Sequence, residues 1–94
     1  MELKRFYAIA EVGVDFLLVS SLAKSRTDFI KCLLFDAYNR GLKNRIYLKV
    51  NGKKITKVDV DYALIELFEM PGFKYMHEVD KMDIEVFACK LFDY

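Results

Sequence analysis

The 94-residue sequence predicts a single α+β domain spanning 1–94, a two-layer sandwich whose mixed or antiparallel sheet is backed by two or three helices. Three observations carry this expectation. Asn51-Gly52 lies between two runs of alternating character and reads as a tight β-hairpin, because a type I′ turn needs positive φ at both central positions. Val60, Ala63, Leu64, Leu67 and Phe68 recur at helical spacing ahead of Pro71-Gly72. Ile30, Leu33, Leu34, Ala37 and Tyr38 do the same ahead of Gly41.

Taken in order, Lys4 to Glu11 has Phe, Tyr and Ile in an extended run without helix caps and reads as a strand ended by Gly13. Val14 to Ala23 fits either a strand paired back on the first or a short helix begun at Asp15; the reading here leans to the helix. The next helix starts near Ser25 or Thr27, either of which can cap it, with Asp28 at the positive end of its dipole. Phe35 falls on its polar side with Asp28, Lys31 and Asn39, so the helix is expected to be covered on more than one side. Alternation about Asn51-Gly52 opposes Val50 to Lys53 and Lys49 to Lys54. It turns Ile46, Leu48, Val50 and Ile55 inward and Arg45, Tyr47, Lys49, Lys54 and Thr56 outward. A helix follows over 59–70. Residues 73–79 and 83–92 read as strands joined near Asp80-Lys81, so ferredoxin-like and winged-helix-like arrangements both fit.

Charge is divided along the chain. Residues 1–57 hold twelve Lys/Arg against five Asp/Glu, and residues 58–94 hold three against nine, although the net charge is only +1. Such asymmetry points to a polyanionic partner for the basic part or to neutralisation within the fold or an oligomer. From Arg40 to Lys57 there are seven cations and no acid. Arg40, Lys43, Arg45, Tyr47, Lys49, Lys53 and Lys54 are therefore the candidate nucleic-acid contacts, the cations for phosphate and the tyrosine for stacking on a base.

Two resemblances lean the same way. Ser25-Arg26-Thr27-Asp28-Phe29-Ile30-Lys31 resembles the start of the second helix in ribbon-helix-helix repressors. The layout from Val14 to Arg40, followed by Gly41-Leu42 and a basic hairpin, is similar to the helix, turn, helix and wing of winged-helix domains. Both resemblances imply contact with DNA.

Other classes find less support. His77 is the one histidine, no glycine-rich phosphate loop is present, and Cys32 and Cys89 lack the spacing of a zinc site and read as buried free thiols. Asp59 and Asp61 suit a helix N-terminus, and Asp80 and Asp83 suit a turn. The expectation is a binding protein, not an enzyme, that needs no cofactor or metal. With no secretion-like leader and no apolar run near the roughly 18 residues of a membrane span, the cytoplasm is the expected location. The apolar share of 54%, with eight Phe and six Tyr, exceeds what so small a body can hide and predicts a homodimer or a protein partner. Regulation through nucleic acid and a protein-interaction module without it are the two functions carried forward.

Overall fold

The computed structural model describes residues 2–94 as seven elements. They are β1 (Lys4–Val12), β2 (Asp15–Ala23), α1 (Arg26–Arg40), β3 (Arg45–Val50), β4 (Lys53–Lys54), α2 (Lys57–Phe68) and α3 (Glu78–Leu91). The strands form one antiparallel sheet in the order β2-β1-β3-β4, and the α+β class predicted from the sequence is observed.

β1 and β2 form a hairpin of nine continuous pairs, from Val12 opposite Asp15 to Lys4 opposite Ala23. Gly13, with φ of 64°, supplies the positive φ at the first position of its two-residue turn. The helix favoured for residues 14–23 is thus a strand: tight pairing with β1 outweighs a helical signal resting on few apolar positions. The first helix of the winged-helix layout is absent with it.

The second hairpin closes as its turn residues demand, with φ of 50° at Asn51 and 79° at Gly52, and it keeps the expected Val50–Lys53 and Lys49–Lys54 pairs. Its faces do not follow simple alternation. The pairing of β3 with β1 shifts by one residue between Ala8–Val50 and Ala10–Tyr47, a bulge that turns both Tyr47 and Val50 into the core. A one-residue slip exchanges the faces of a strand, so Ile46 and Leu48, expected inside, are only half-buried.

Helix α1 begins at Ser25, whose Oγ accepts from the Asp28 N–H at 3.1 Å, and ends at Gly41. Helix α2 begins with a capping box: Thr56 Oγ1 accepts from the Asp59 N–H, and Asp59 Oδ2 accepts from the Thr56 N–H at 2.9 Å. The two strands expected after residue 72 are instead a run of turns and then α3. Ile84, Ala88 and Leu91 bury one stripe of α3 at i, i+4, i+7 spacing, and that period prevails over the β-forming character of Val86 and Phe87.

All three helices lie on one side of the sheet. Phe6, Ala8 and Ala10 of β1 meet them, Phe6 stacking on Phe29 of α1 with ring centroids 5.4 Å apart. Tyr47 tilts against Phe92 at 6.3 Å and Tyr38 meets the ring of Phe87 edge-on at 5.5 Å, which fixes α3 to the rest. Phe35 of α1 is met edge-on by Phe73 of the same chain at 5.8 Å, a cover that leaves part of its ring in solvent. No described helix is long and apolar enough to cross a membrane.

Candidate binding surfaces

The seven residues singled out from the sequence separate into two groups at opposite ends of β3. Arg40, in the last turn of α1, bonds Asp36 on its own helix at 3.0 Å. Lys43 is exposed in the connection to β3. Arg45 is half-buried, and its Nη1 donates to the hydroxyl of Tyr47 at 3.2 Å while its buried Nε has no protein partner. Beside it, Lys43 and Lys90 share a half-open pocket of about 330 Å³ with Asp83 against an apolar wall that includes Phe87.

Tyr47 corrects an expectation. It is 1% exposed, so its ring packs in the core and offers no face on which a base could stack. Burial pushes its hydroxyl pKa up, only partly offset by Arg45.

Lys49, Lys53 and Lys54 are exposed together at the closed end of the hairpin, and among the described residues none of them forms an ion pair. Their backbone is held from below by Arg26, at the start of α1. Its Nη1 donates to the Val50 carbonyl at 2.9 Å, and its Nη2 donates to the carbonyls of Lys53 and Lys54 at 3.2 and 2.8 Å. The same Nη2 lies 3.2 Å from Asp59 Oδ2. Burial raises the Asp59 carboxyl pKa, but the Thr56 amide and the Arg26 guanidinium together outweigh this and leave it below its ordinary 3.8. Three lysines on a braced turn make a compact cationic tip, smaller than the seven-cation ribbon expected.

The larger surface is one that no candidate residue marked. No described residue covers the side of the sheet away from the helices, and its β1–β2 part is apolar, with the exposed Lys49 and Lys54 at its β3–β4 margin. From β1 it presents Tyr7 and Ile9, and from β2 it presents Phe16, Leu18 and Leu22, with Phe16 71% and Leu18 62% exposed. The half-buried Ile46, opposite Glu11, extends the patch onto β3. Arg5 and Glu11 end its β1 row, and Arg5 Nη1 donates to Ser20 Oγ at 2.9 Å. A sheet normally buries an apolar face against another layer, and contiguous exposed patches of this kind mark interaction sites. The signal is present in the sequence: strands with apolar residues at both parities, as in Phe6-Tyr7-Ala8-Ile9-Ala10 and Phe16-Leu17-Leu18-Val19, are built to be covered on both sides.

The remaining chemistry-bearing residues do not converge. His77 stands at the N-cap of α3 and makes no side-chain cap bond there. Cys32 is exposed and Cys89 half-buried, so both are free thiols as expected but neither is fully buried. Among the described residues no group of three His, Cys, Asp or Glu side chains is placed to hold a metal. Comparison with protein-family models, with curated proteins and with solved structures returned no match for this chain.

Proposed function

We propose that this chain is a binding module that docks another protein through the bare side of its sheet. The observation that carries this reading is the uncovered cluster of Tyr7, Ile9, Phe16, Leu18 and Leu22. Covering five large apolar side chains removes their surface from water at roughly 25 cal/mol per Å², and their rigid strands require little ordering on association. Binding of this kind needs no cofactor, and it suits a small regulator or adaptor acting in the cytoplasm.

A photo-crosslinking amino acid placed at Leu18 in the native cell tests the reading. It forms crosslinks to protein, while the same group at Tyr75, which is exposed on a turn away from the sheet, forms none or different ones. Absence of any protein crosslink from Leu18 overturns it.

One observation favours a second reading, contact with nucleic acid. Lys49, Lys53 and Lys54 lie together without carboxylate partners, and three phosphate contacts would make affinity fall with salt at a log–log slope of about −2 to −3. Titration of duplex DNA and of RNA at several salt concentrations checks this. Binding that is undetectable at low salt, or unchanged in a Lys49→Glu, Lys54→Glu chain, removes it.

A further inference from the structure

We infer that the bare sheet face receives an acidic amphipathic α-helix of the partner, an inference that rests on the docking reading above and names the chemistry of what docks. Of the strand residues that project to this side, three are cations, Arg5, Lys49 and Lys54, and one is an acid, Glu11. They are not spread evenly. Lys49 and Lys54 oppose each other across β3 and β4, and the bulge brings Lys49 level with Ile9, mid-way along the face. The β2 row of Leu22, Ser20, Leu18 and Phe16 holds no charge. The face is thus graded from apolar at β2 to cationic at β4.

That gradient has the width of one helix. Neighbouring strands are about 4.8 Å apart, so β2 and β4 lie about 14 Å from each other. An α-helix with its side chains is about 10–12 Å across. Laid along β1 and β2, it sets an apolar stripe on Ile9, Leu18 and Leu22 and brings one flank beside Lys49 and Lys54. Carboxylates on that flank meet both lysines, and neither lysine has an ion partner among the described residues that it must give up. The docked helix also supplies the layer that an apolar sheet face lacks, leaving helices on both sides of the sheet.

The same charges argue against the other occupants. A second copy stacked face to face brings one cationic surplus against another. A surface that inserts into anionic lipid carries Lys and Arg around its apolar centre, whereas Lys49 and Lys54 lie along one margin and Glu11 stands at an end of the apolar rows. Single-stranded nucleic acid stacks its bases on aromatic rings among cations. Phe16, the more exposed of the two rings on this face, is directly opposite the acidic Glu11.

The experiment places the photo-crosslinking group at Leu18 in the native cell, in the wild-type background and in three others: Lys49→Glu with Lys54→Glu, Lys49→Arg with Lys54→Arg, and Lys53→Glu alone. Lys53 belongs to the same turn but pairs with the core-facing Val50, so its side chain projects to the helix side. Crosslinking to the partner protein falls about ten-fold in the Glu pair, and stays within about two-fold of wild type in the Arg pair and in Lys53→Glu. Both reversed lysines are exposed and unpaired, and unchanged thermal melting by circular dichroism separates lost docking from lost folding. Mass spectrometry of the crosslinked peptide finds an apolar stripe at helical spacing flanked by a surplus of Asp and Glu. The inference is overturned, while the docking reading stands, by a yield unmoved in the Glu pair or lowered equally by Lys53→Glu, by a crosslinked segment without acidic surplus, or by a crosslink to a second copy of this chain. Crosslinks to nucleic acid or lipid alone, or to nothing, overturn both.

Discussion

Arg26 bridges segments that are far apart in sequence. Its guanidinium satisfies three hairpin carbonyls and the carboxylate that caps α2, so one side chain joins the start of α1, both strands of the second hairpin and the next helix. Charge-assisted hydrogen bonds in a partly buried setting contribute more than neutral ones. Arg26→Ala is expected to cost about 2 kcal/mol in urea denaturation, and Arg26→Lys recovers only part of it because an ammonium lacks the planar fork. Asp59 adds a pH dependence. Its folded pKa lies below the unfolded 3.8, so its contribution is fully present above that value and is lost as pH falls through the folded pKa. An Asp59→Asn chain is therefore less stable at neutral pH, and its acid unfolding, followed by circular dichroism, begins from a lower plateau and falls less steeply below pH 4 than that of the wild type. Tyr47 is the corresponding residue in the core. Tyr47→Ala costs about 3–5 kcal/mol through the cavity left against Phe92. Tyr47→Phe costs about 1 kcal/mol, since Arg45 loses an acceptor while its neighbours stay packed.

At the scale of elements, local chemistry makes some features readable in advance. Asn51-Gly52, the Ser25 cap and the Gly41 stop have mechanisms that do not depend on what surrounds them, and each sits where expected. The bulge in β3 is not readable, because it is set by pairing with a strand some forty residues earlier in the chain. For this reason the tyrosine assigned to the binding surface points into the core. β2 and α3 depart from expectation for a related reason: both sequences tolerate either period, and the decision falls to partners, β1 for the former and the buried Ile84, Ala88 and Leu91 stripe for the latter. Helix α3 also starts weakly, with acidic Glu78 and Asp80 in its first turn but no side-chain cap at His77. His77→Ser supplies the missing acceptor and is expected to raise the thermal midpoint, with a gain of about 0.5–1 kcal/mol.

Across the whole molecule, the division of charge along the chain turns out to be mostly unreconciled. Among the described residues, Arg26–Asp59 is the one ion pair between distant parts of the sequence; the others join neighbours three or four residues apart. The basic tip and the acidic helices therefore keep separate fields, which leaves the lysines open to an anion. Protection against hydrogen exchange should be graded in the same global sense. β1 has a strand on each side and helices over it, so the amides of Phe6 to Ala10 exchange close to the rate of global unfolding. β2 is an edge strand whose two-residue turn directs alternate groups outward, so the amides of Phe16, Leu18, Ser20 and Leu22 exchange orders of magnitude faster. Equal protection of the two sets in exchange measured by mass spectrometry contradicts that topology.

The nine-pair first hairpin also bears on how the molecule is made. Its two strands are complete once Ala23 has been synthesised, and a contact between near neighbours closes in microseconds. Its third strand cannot join until Val50 has been added, at a rate of roughly 5–20 residues per second. For about one to five seconds of synthesis the two strands of the greasy ribbon thus precede the strand that flanks them.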